Sequence, residues 1–271
     1  MTQEMAADRL QRSRMTLVRI EQGDLRVRFR DSDVKAMLDL YGASPEKREL
    51  LTALTNETRN GTKPWWRDYT SAGSPLFRVY LSLEEAAQTL RWYESEVIHG
   101  LLQTRAYAFA ISNVMAGHWS EQEIEQNVKL RMERQAMLRR PRAPHLMAVL
   151  HEGALHSLVG GPEVMAEQLD HLVKVSQQVN ISLRVIPFEA GVHGGMAAHG
   201  AFILLEFPTD AKGQPAHPPL VYLDALTGAN HLTRPADVIP YQHVWDNLAA
   251  RALDEDSSRE KITAILERIN S

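Results

Sequence analysis

Along the first sixty residues the apolar positions recur at helical spacing in short bursts, each closed by a turn residue. Ala6 and Leu10 stand four apart in Thr2 to Leu10, Ser13 is placed to cap a helix running to Gln22, and Gly23 is placed to end it. Val34, Met37, Leu38 and Tyr41 then line one face of Asp31 to Tyr41, which Gly42 closes. Ser44-Pro45 opens a further helix with Leu50, Leu51 and Leu54 inward. Four short helices joined by tight turns predict a compact bundle.

Beyond that bundle the pattern alternates between two periods. Helical spacing predicts Leu83 to Ile98, Thr104 to Met115, Ser120 to Arg140, Pro162 to Gln178, Ala236 to Leu253 and Ser257 to Ile269. Apolar runs of strand length predict Leu146 to Leu150, Ile181 to Phe188, Ala201 to Phe207 and Leu220 to Leu223. Helices around a small sheet, without regular strand and helix alternation, define an α+β class. The sharpest break lies at Asn60-Gly61-Thr62-Lys63-Pro64, and Ser71-Ala72-Gly73-Ser74-Pro75 is a second irregular stretch. The expected organisation is therefore a helical domain over 1–62, a linker over 63–75 bearing Trp65 and Trp66, and a larger α+β domain over 76–271.

Composition narrows the function classes. With no cysteine in 271 residues, a disulfide framework, a thiolate zinc site and a cysteine nucleophile are all excluded. No stretch approaches the ~18 apolar residues of a membrane span, and Glu4 and Asp8 occupy a start that a signal peptide would keep apolar. A cytoplasmic protein without a membrane partner is expected. The net charge of −4 argues against nucleic acid only until it is divided. Residues 1–62 hold 11 basic and 10 acidic side chains, and the stretch from Arg9 to Arg30 carries seven arginines against Glu21 and Asp24. The acidity belongs to the remainder, and the basic patch stands on the helical bundle.

That patch has a geometry. A helix over Thr2 to Leu10, a three-residue turn and a second helix from Ser13 bring Leu10, Leu17 and Ile20 inward, with small Ala6 and Ala7 allowing close crossing. Arg14, Met15, Thr16 and Arg19 are left on the outer face of the second helix. Side chains at the N-terminal end of such a helix reach base edges in a major groove of about 12 Å. Arg14 and Arg19 suit bidentate donation to guanine, and Met15 suits contact with a thymine methyl. Gln3, opening the first helix, suits a phosphate, and Arg26 and Arg28 with Arg30 suit the DNA backbone. The predicted partner is double-stranded DNA.

The words Thr2-Gln3, Ala6-Ala7, Leu10, Ser13, Arg19-Ile20-Glu21 and Gly23, followed by Met37-Leu38-Asp39-Leu40-Tyr41-Gly42, resemble the Xre or phage-repressor type of helix-turn-helix. The resemblance implies DNA-contact roles for Gln3, Arg14, Met15 and Arg19. It also implies a helix ahead of Thr2, so the reader domain is expected to lack its first helix, with the true start placed upstream. The rest of the chain resembles the C-terminal domain that accompanies this motif in a bacterial family of antitoxin-like regulators. Its words here are Arg91-Trp92-Tyr93-Glu94, Gly100 to Ala108, Val159-Gly160-Gly161-Pro162, Val185-Ile186-Pro187-Phe188, Gly200-Ala201-Phe202 and Val221-Tyr222-Leu223-Asp224. His99 and His151 stand where the family carries proline and aspartate.

In this larger part the chemistry is sparse. His151 and His156 are five apart, which breaks the i, i+4 spacing of zinc ligands on a helix, so no metal is expected, and nothing in the sequence calls for a cofactor. Gly160-Gly161-Pro162 reads as a helix start, and His193 before Gly194-Gly195 reads as a turning connection, with a lid over a pocket as the sharper alternative. Arg131, Arg134, Arg139, Arg140 and Arg142 read as a solvated helix face, and Trp92-Tyr93 as filling near the domain junction. Tyr93, Glu94, Gln103, Tyr107, Glu152 and His193 are the candidate ligand-binding residues, and no catalytic set emerges. The overall expectation is an antitoxin-like transcriptional regulator, a homodimer whose C-terminal domain senses a small cognate protein or a small-molecule effector. The rival is an enzyme or small-molecule-binding protein of secondary metabolism that inherited the architecture and lost DNA binding.

Overall fold

A computed structural model describes residues 2–21, 30–43, 48, 51, 75–114, 118–198, 200–209, 217–225 and 228–271. The chain divides into two compact units, Met1–Pro64 and Trp65–Ser271. Arg26, Arg28, most of the helix expected after Ser44 and nearly all of the linker over 63–75 lie outside the described residues.

In the first unit α1 spans Gln3–Arg9, α2 Arg14–Glu21 and α3 Asp31–Leu40. The Thr2 hydroxyl accepts the Met5 N–H at the start of α1, and the Ser13 hydroxyl accepts the Thr16 N–H (3.1 Å) at the start of α2. Four residues, Leu10 to Ser13, join the two helices, one more than the spacing predicts. Gln11 takes the left-handed conformation there (φ 51°), while the Arg12 N–H donates to Ala7 O (2.9 Å). Leu17 is fully buried against Ala6 and Ala7, with Leu10, Met37 and Leu40 at the margin. The Arg12 guanidinium reaches Asp33 of α3 at 2.6 Å, so the turn is fastened to the third helix.

The second unit is built on six strands in the order β3-β2-β1-β4-β5-β6. They are β1 Thr89–Glu94, β2 His145–His151, β3 Ile181–Ile186, β4 Phe202–Glu206, β5 Leu220–Ala225 and β6 Gly228–Leu232. β1, β2 and β3 are parallel; β4 returns antiparallel on the other side of β1, and β5 and β6 continue antiparallel. The helices are α4 Pro75–Ala86, α5 Arg105–Asn113, α6 Glu121–Arg134, α7 Glu152–His156, α8 Pro162–Val175, α9 Gly194–Ala197, α10 Pro235–Arg251 and α11 Glu255–Asn270. The fold is α+β with a mixed sheet larger than the four strands expected.

The main correction lies at the centre. Leu83 to Ile98, expected as one helix, is the end of α4 followed by β1. Leu90, Trp92 and Tyr93 are all buried because β1 is covered on both faces, which removes the alternation that marks a half-exposed strand. For the same reason Trp92 and Tyr93 are core residues of this unit. β6 was invisible because an edge strand of Gly228, Ala229, Asn230, His231 and Leu232 carries little apolar signal.

One face of the sheet packs Tyr93, Val149, Ile186, Phe202, Leu204 and Val221 against Val238, Trp245 and Leu248 of α10. On the opposite face Trp92 lies over His99 (ring centroids 4.9 Å) and Tyr222 stacks on Tyr80 of α4 (4.0 Å). α11 is tied to β3 where Ser258 accepts the Val185 N–H (2.9 Å), and it packs on α8. Gly160 (φ 71°) and Gly161 (φ 94°) deliver the chain into Pro162 at the first turn of α8, the helix start the sequence predicts.

Candidate functional site

On the first unit, α2 presents its N-terminal end outward. The Arg14 side chain is exposed and pairs loosely with Glu4 at 3.8 Å, Met15 is 68% exposed, and Gln3 stands exposed at the start of α1. Thr16 is half-buried, its hydroxyl 2.8 Å from that of Ser13, so it serves the helix cap as well as the surface. Arg19 is half-buried farther along α2. An exposed arginine and an exposed methionine therefore stand together on the first turn of a helix whose inner face is fixed by Leu17.

On the second unit the six candidate residues do not form one pocket. Tyr93 and Glu94 are consecutive at the end of β1, so they point to opposite faces of the sheet. Glu94, Gln103 and Tyr107 fall on the α5 and α6 side. There the Tyr107 hydroxyl accepts the Ile98 N–H (3.1 Å), Gln103 donates to Ile98 O (2.6 Å), and Arg131 donates to Gln103 Oε1 (2.6 Å). Gln103 and Tyr107 thus clamp the loop that follows β1. The Glu94 carboxyl is pushed up to about 8 by burial, then by the charges of Asp224 and Glu96. Burial also pulls Arg131 down to about 10, with Arg134 adding to the effect.

Beneath this loop lies a buried ion pair that sequence reasoning missed. Arg134 grips both Glu84 oxygens (Nε to Oε2 2.5 Å, Nη2 to Oε1 2.6 Å), and the Tyr80 hydroxyl donates to Glu84 Oε1 (2.5 Å). Burial, with Arg134 and Arg131 beside it, holds His99 neutral and well below its ordinary range. The arginine run is therefore no solvated face at Arg131 and Arg134. Ile124, Val128 and Arg131 stand at i, i+4 and i+7, so the apolar stripe of α6 runs into the arginines; that spacing was the available signal.

Tyr93, Glu152 and His193 fall on or beside the α10 side, at the ends of the parallel strands. Tyr93 meets His193 edge-on (5.8 Å), and His193 lies 5.3 Å from His151, the last residue of β2. Burial raises the Tyr93 hydroxyl to about 12. The two Glu152 oxygens are taken: Oε2 accepts the Phe188 N–H (2.8 Å) and meets Lys261 (2.9 Å), while Oε1 faces His156 (3.3 Å). Burial opposes ionisation of Glu152, but those bonds prevail and leave its pKa lowered. His193 is 95% buried by its 5% exposure, and neither ring nitrogen has a partner. His193 heads α9 and is no open turn: Gly195 lies on the Tyr93 ring so closely that a Cβ there would be 2.3 Å from it. No group of three metal-ligating side chains occurs among the described residues.

A hollow of about 540 Å³ opens between β2, β3 and α10, floored by Met147, Val149 and Trp245. Arg184 lines it but spends its guanidinium on the carbonyls of Leu253 (2.7 Å) and Ala252 (2.8 Å). None of the six candidates lines it.

The two units together define a protein that joins a helix-turn-helix to a mixed α+β domain. Residues 1–51 match the helix-turn-helix domain family, and residues 77–264 match the family described as a domain of unknown function, DUF5753. The second match spans more than half of the chain, which belongs to that family. No curated protein and no solved structure matches the chain. Among the described residues no helix is long and apolar enough to cross a membrane.

Proposed function

We propose that the protein is an Xre-type, antitoxin-like transcriptional regulator of the cytoplasm, binding double-stranded DNA as a homodimer. The observation that carries this reading is the exposed first turn of α2, with Arg14 and Met15 outward and Leu17 locked inward, in a segment that matches the helix-turn-helix family. Arg14, Met15, Thr16 and Arg19 read bases, Gln3 anchors the helix pair on a phosphate, and Arg26 and Arg28 add backbone contacts. A dimer places two such helices about one turn of DNA apart. The second unit senses a small effector or a small cognate protein and biases the DNA-competent state through differential affinity.

A mobility shift of the full chain on DNA from its own promoter, at two salt concentrations, tests the reading. Specific binding that weakens steeply with salt is expected, because bound counterions are released. Arg14→Ala is expected to cost ~1–3 kcal/mol on the cognate site and to relax its specificity. Equal affinity of wild type and Arg14→Ala would remove the base-reading role. A chain that binds no DNA would instead favour the rival, a small-molecule-binding protein or enzyme, which the unpartnered His193 supports.

A further inference from the structure

We infer that the end of the parallel strands beneath α9 is a binding site for a small carboxylic acid with an apolar body, its carboxylate received by His193 and His151. The inference rests on the reading of the second unit as a sensor and names the chemistry that it senses.

The argument is a balance of donors and acceptors. His151 Nδ1 accepts the Gly153 N–H (3.1 Å), which fixes its proton on Nε2 and makes that nitrogen a half-buried donor. His193 carries a further ring N–H and a bare ring nitrogen, neither with a partner, in a position where water reaches little of it. Arg251, close enough to act on His193 electrostatically, also stands on this side and holds Ala190 O at 3.1 Å. The nearby carboxylate, Glu152, is fully engaged by Phe188, Lys261 and His156. Two ring N–H groups thus stand against a single bare ring nitrogen, that of His193, so donors outnumber acceptors and an anionic acceptor would complete the set. A buried donor left without one costs free energy comparable to a lost hydrogen bond, which a bound carboxylate would recover.

The surroundings set the rest of the ligand. Tyr93 and Phe202 form the inner wall, and Phe188, 54% exposed, leans edge-on against His151. These surfaces suit a ring or a branched chain. The position also follows from topology. The chain leaves β1 toward β2 and β3 and returns to β4 on the other side, so the end of β1 is a switch point, where open sheets receive ligands. The cover is light: α9 has four residues, its Gly194 N–H donates to Asn247 (2.8 Å), and Gly191 (φ 62°) and Gly200 (φ 139°) flank it. Entry of the ligand displaces this cover from the Tyr93 ring.

Benzoate is the probe, and benzyl alcohol its uncharged counterpart. Calorimetric titration of the full chain should show saturable benzoate binding, at least tenfold tighter than benzyl alcohol, with the ring NMR signals of His193 and His151 shifting on saturation. His193→Leu should weaken benzoate at least tenfold, and His193→Gln, which keeps a donor, should weaken it less. No saturable benzoate binding, equal affinity for benzyl alcohol, or an unchanged affinity in His193→Leu would overturn the assignment. Should His193→Leu fail to fold, the ring shifts in the wild-type chain decide the same question. Benzoate bound through His193 without any change in DNA affinity would support the site and remove small-molecule sensing.

Discussion

Two buried polar groups on opposite faces of one sheet are treated in opposite ways. On the α6 side Arg134 and Glu84 meet in a bidentate pair, with Tyr80 satisfying a carboxylate oxygen. On the α10 side His193 is as deeply placed and has no partner at either nitrogen. A saturated network fixes one arrangement and has no capacity left for a ligand. An unsaturated one gives up stability and keeps its bonding capacity for something else. Perturbed groups occur in both places, so depth or a shifted pKa alone does not mark a binding site; what separates them is whether the bonds close within the protein.

The largest expected effect of breaking this contrast comes from Arg134→Leu. It strands Glu84 in the core and should lower stability by about 3–5 kcal/mol in urea unfolding, while adding Glu84→Leu should recover part of the loss. An Arg134→Leu protein as stable as wild type would show that the pair is not fixed. Next comes Gly195→Ala: its Cβ would meet the Tyr93 ring, so α9 cannot stay seated, at a cost of about 1–3 kcal/mol and with greater proteolysis around Gly191. His193→Leu should change stability by less than ~1 kcal/mol, in the stabilising direction, because it removes an unpaired group. A large loss there would mean that the imidazole is bonded after all.

The most gradual effects are pH slopes, spread over several pH units and opposite in sign for the carboxyl and the imidazoles. The carboxyl of Glu94, raised from 4.5 to about 8, holds its proton more tightly when folded, so its contribution is present below 4.5 and declines as pH rises toward 8. His99 and His193 are lowered from 6.5, so the unfolded chain takes up more protons and stability falls as pH drops below 6.5. Unfolding free energies measured across that range should lose the alkaline decline in Glu94→Gln and retain the acid one.

Much of this was legible in the sequence where an element carries a one-sided apolar stripe or an unbroken apolar run. The longer helices α5, α6, α8, α10 and α11 and the strands around Leu146 to Leu150 and Ile181 to Ile186 carry clean patterns, whereas the short α7 and α9 do not, and the capping Ser13 and inward Leu17 identify the helix pair of the first unit. β1 was hidden because burial on both faces erases its period, while Arg91 and Glu94 break the apolar run by which the equally covered β2 could be read. The division of Tyr93 from Glu94 follows from that strand and could not be seen while the segment was read as a helix. Arg131 and Arg134 were misread because charge outweighed spacing, although they continue the buried stripe of α6. The loose end of His193 has no sequence signal at all, since the absence of a partner is a property of three dimensions.

The placement of β1 has a consequence for synthesis. It is the first strand of its sheet to leave the ribosome, yet Tyr93 pairs with Val149 on one side and with Phe202 on the other, so neither edge can close until later segments arrive. Leu90, Trp92 and Tyr93 must wait in an incompletely folded chain, and the antiparallel half of the sheet assembles last. A nascent chain stalled before Phe202 should therefore carry an open β1 edge, the point at which chaperones or unwanted strand pairing would first engage this protein.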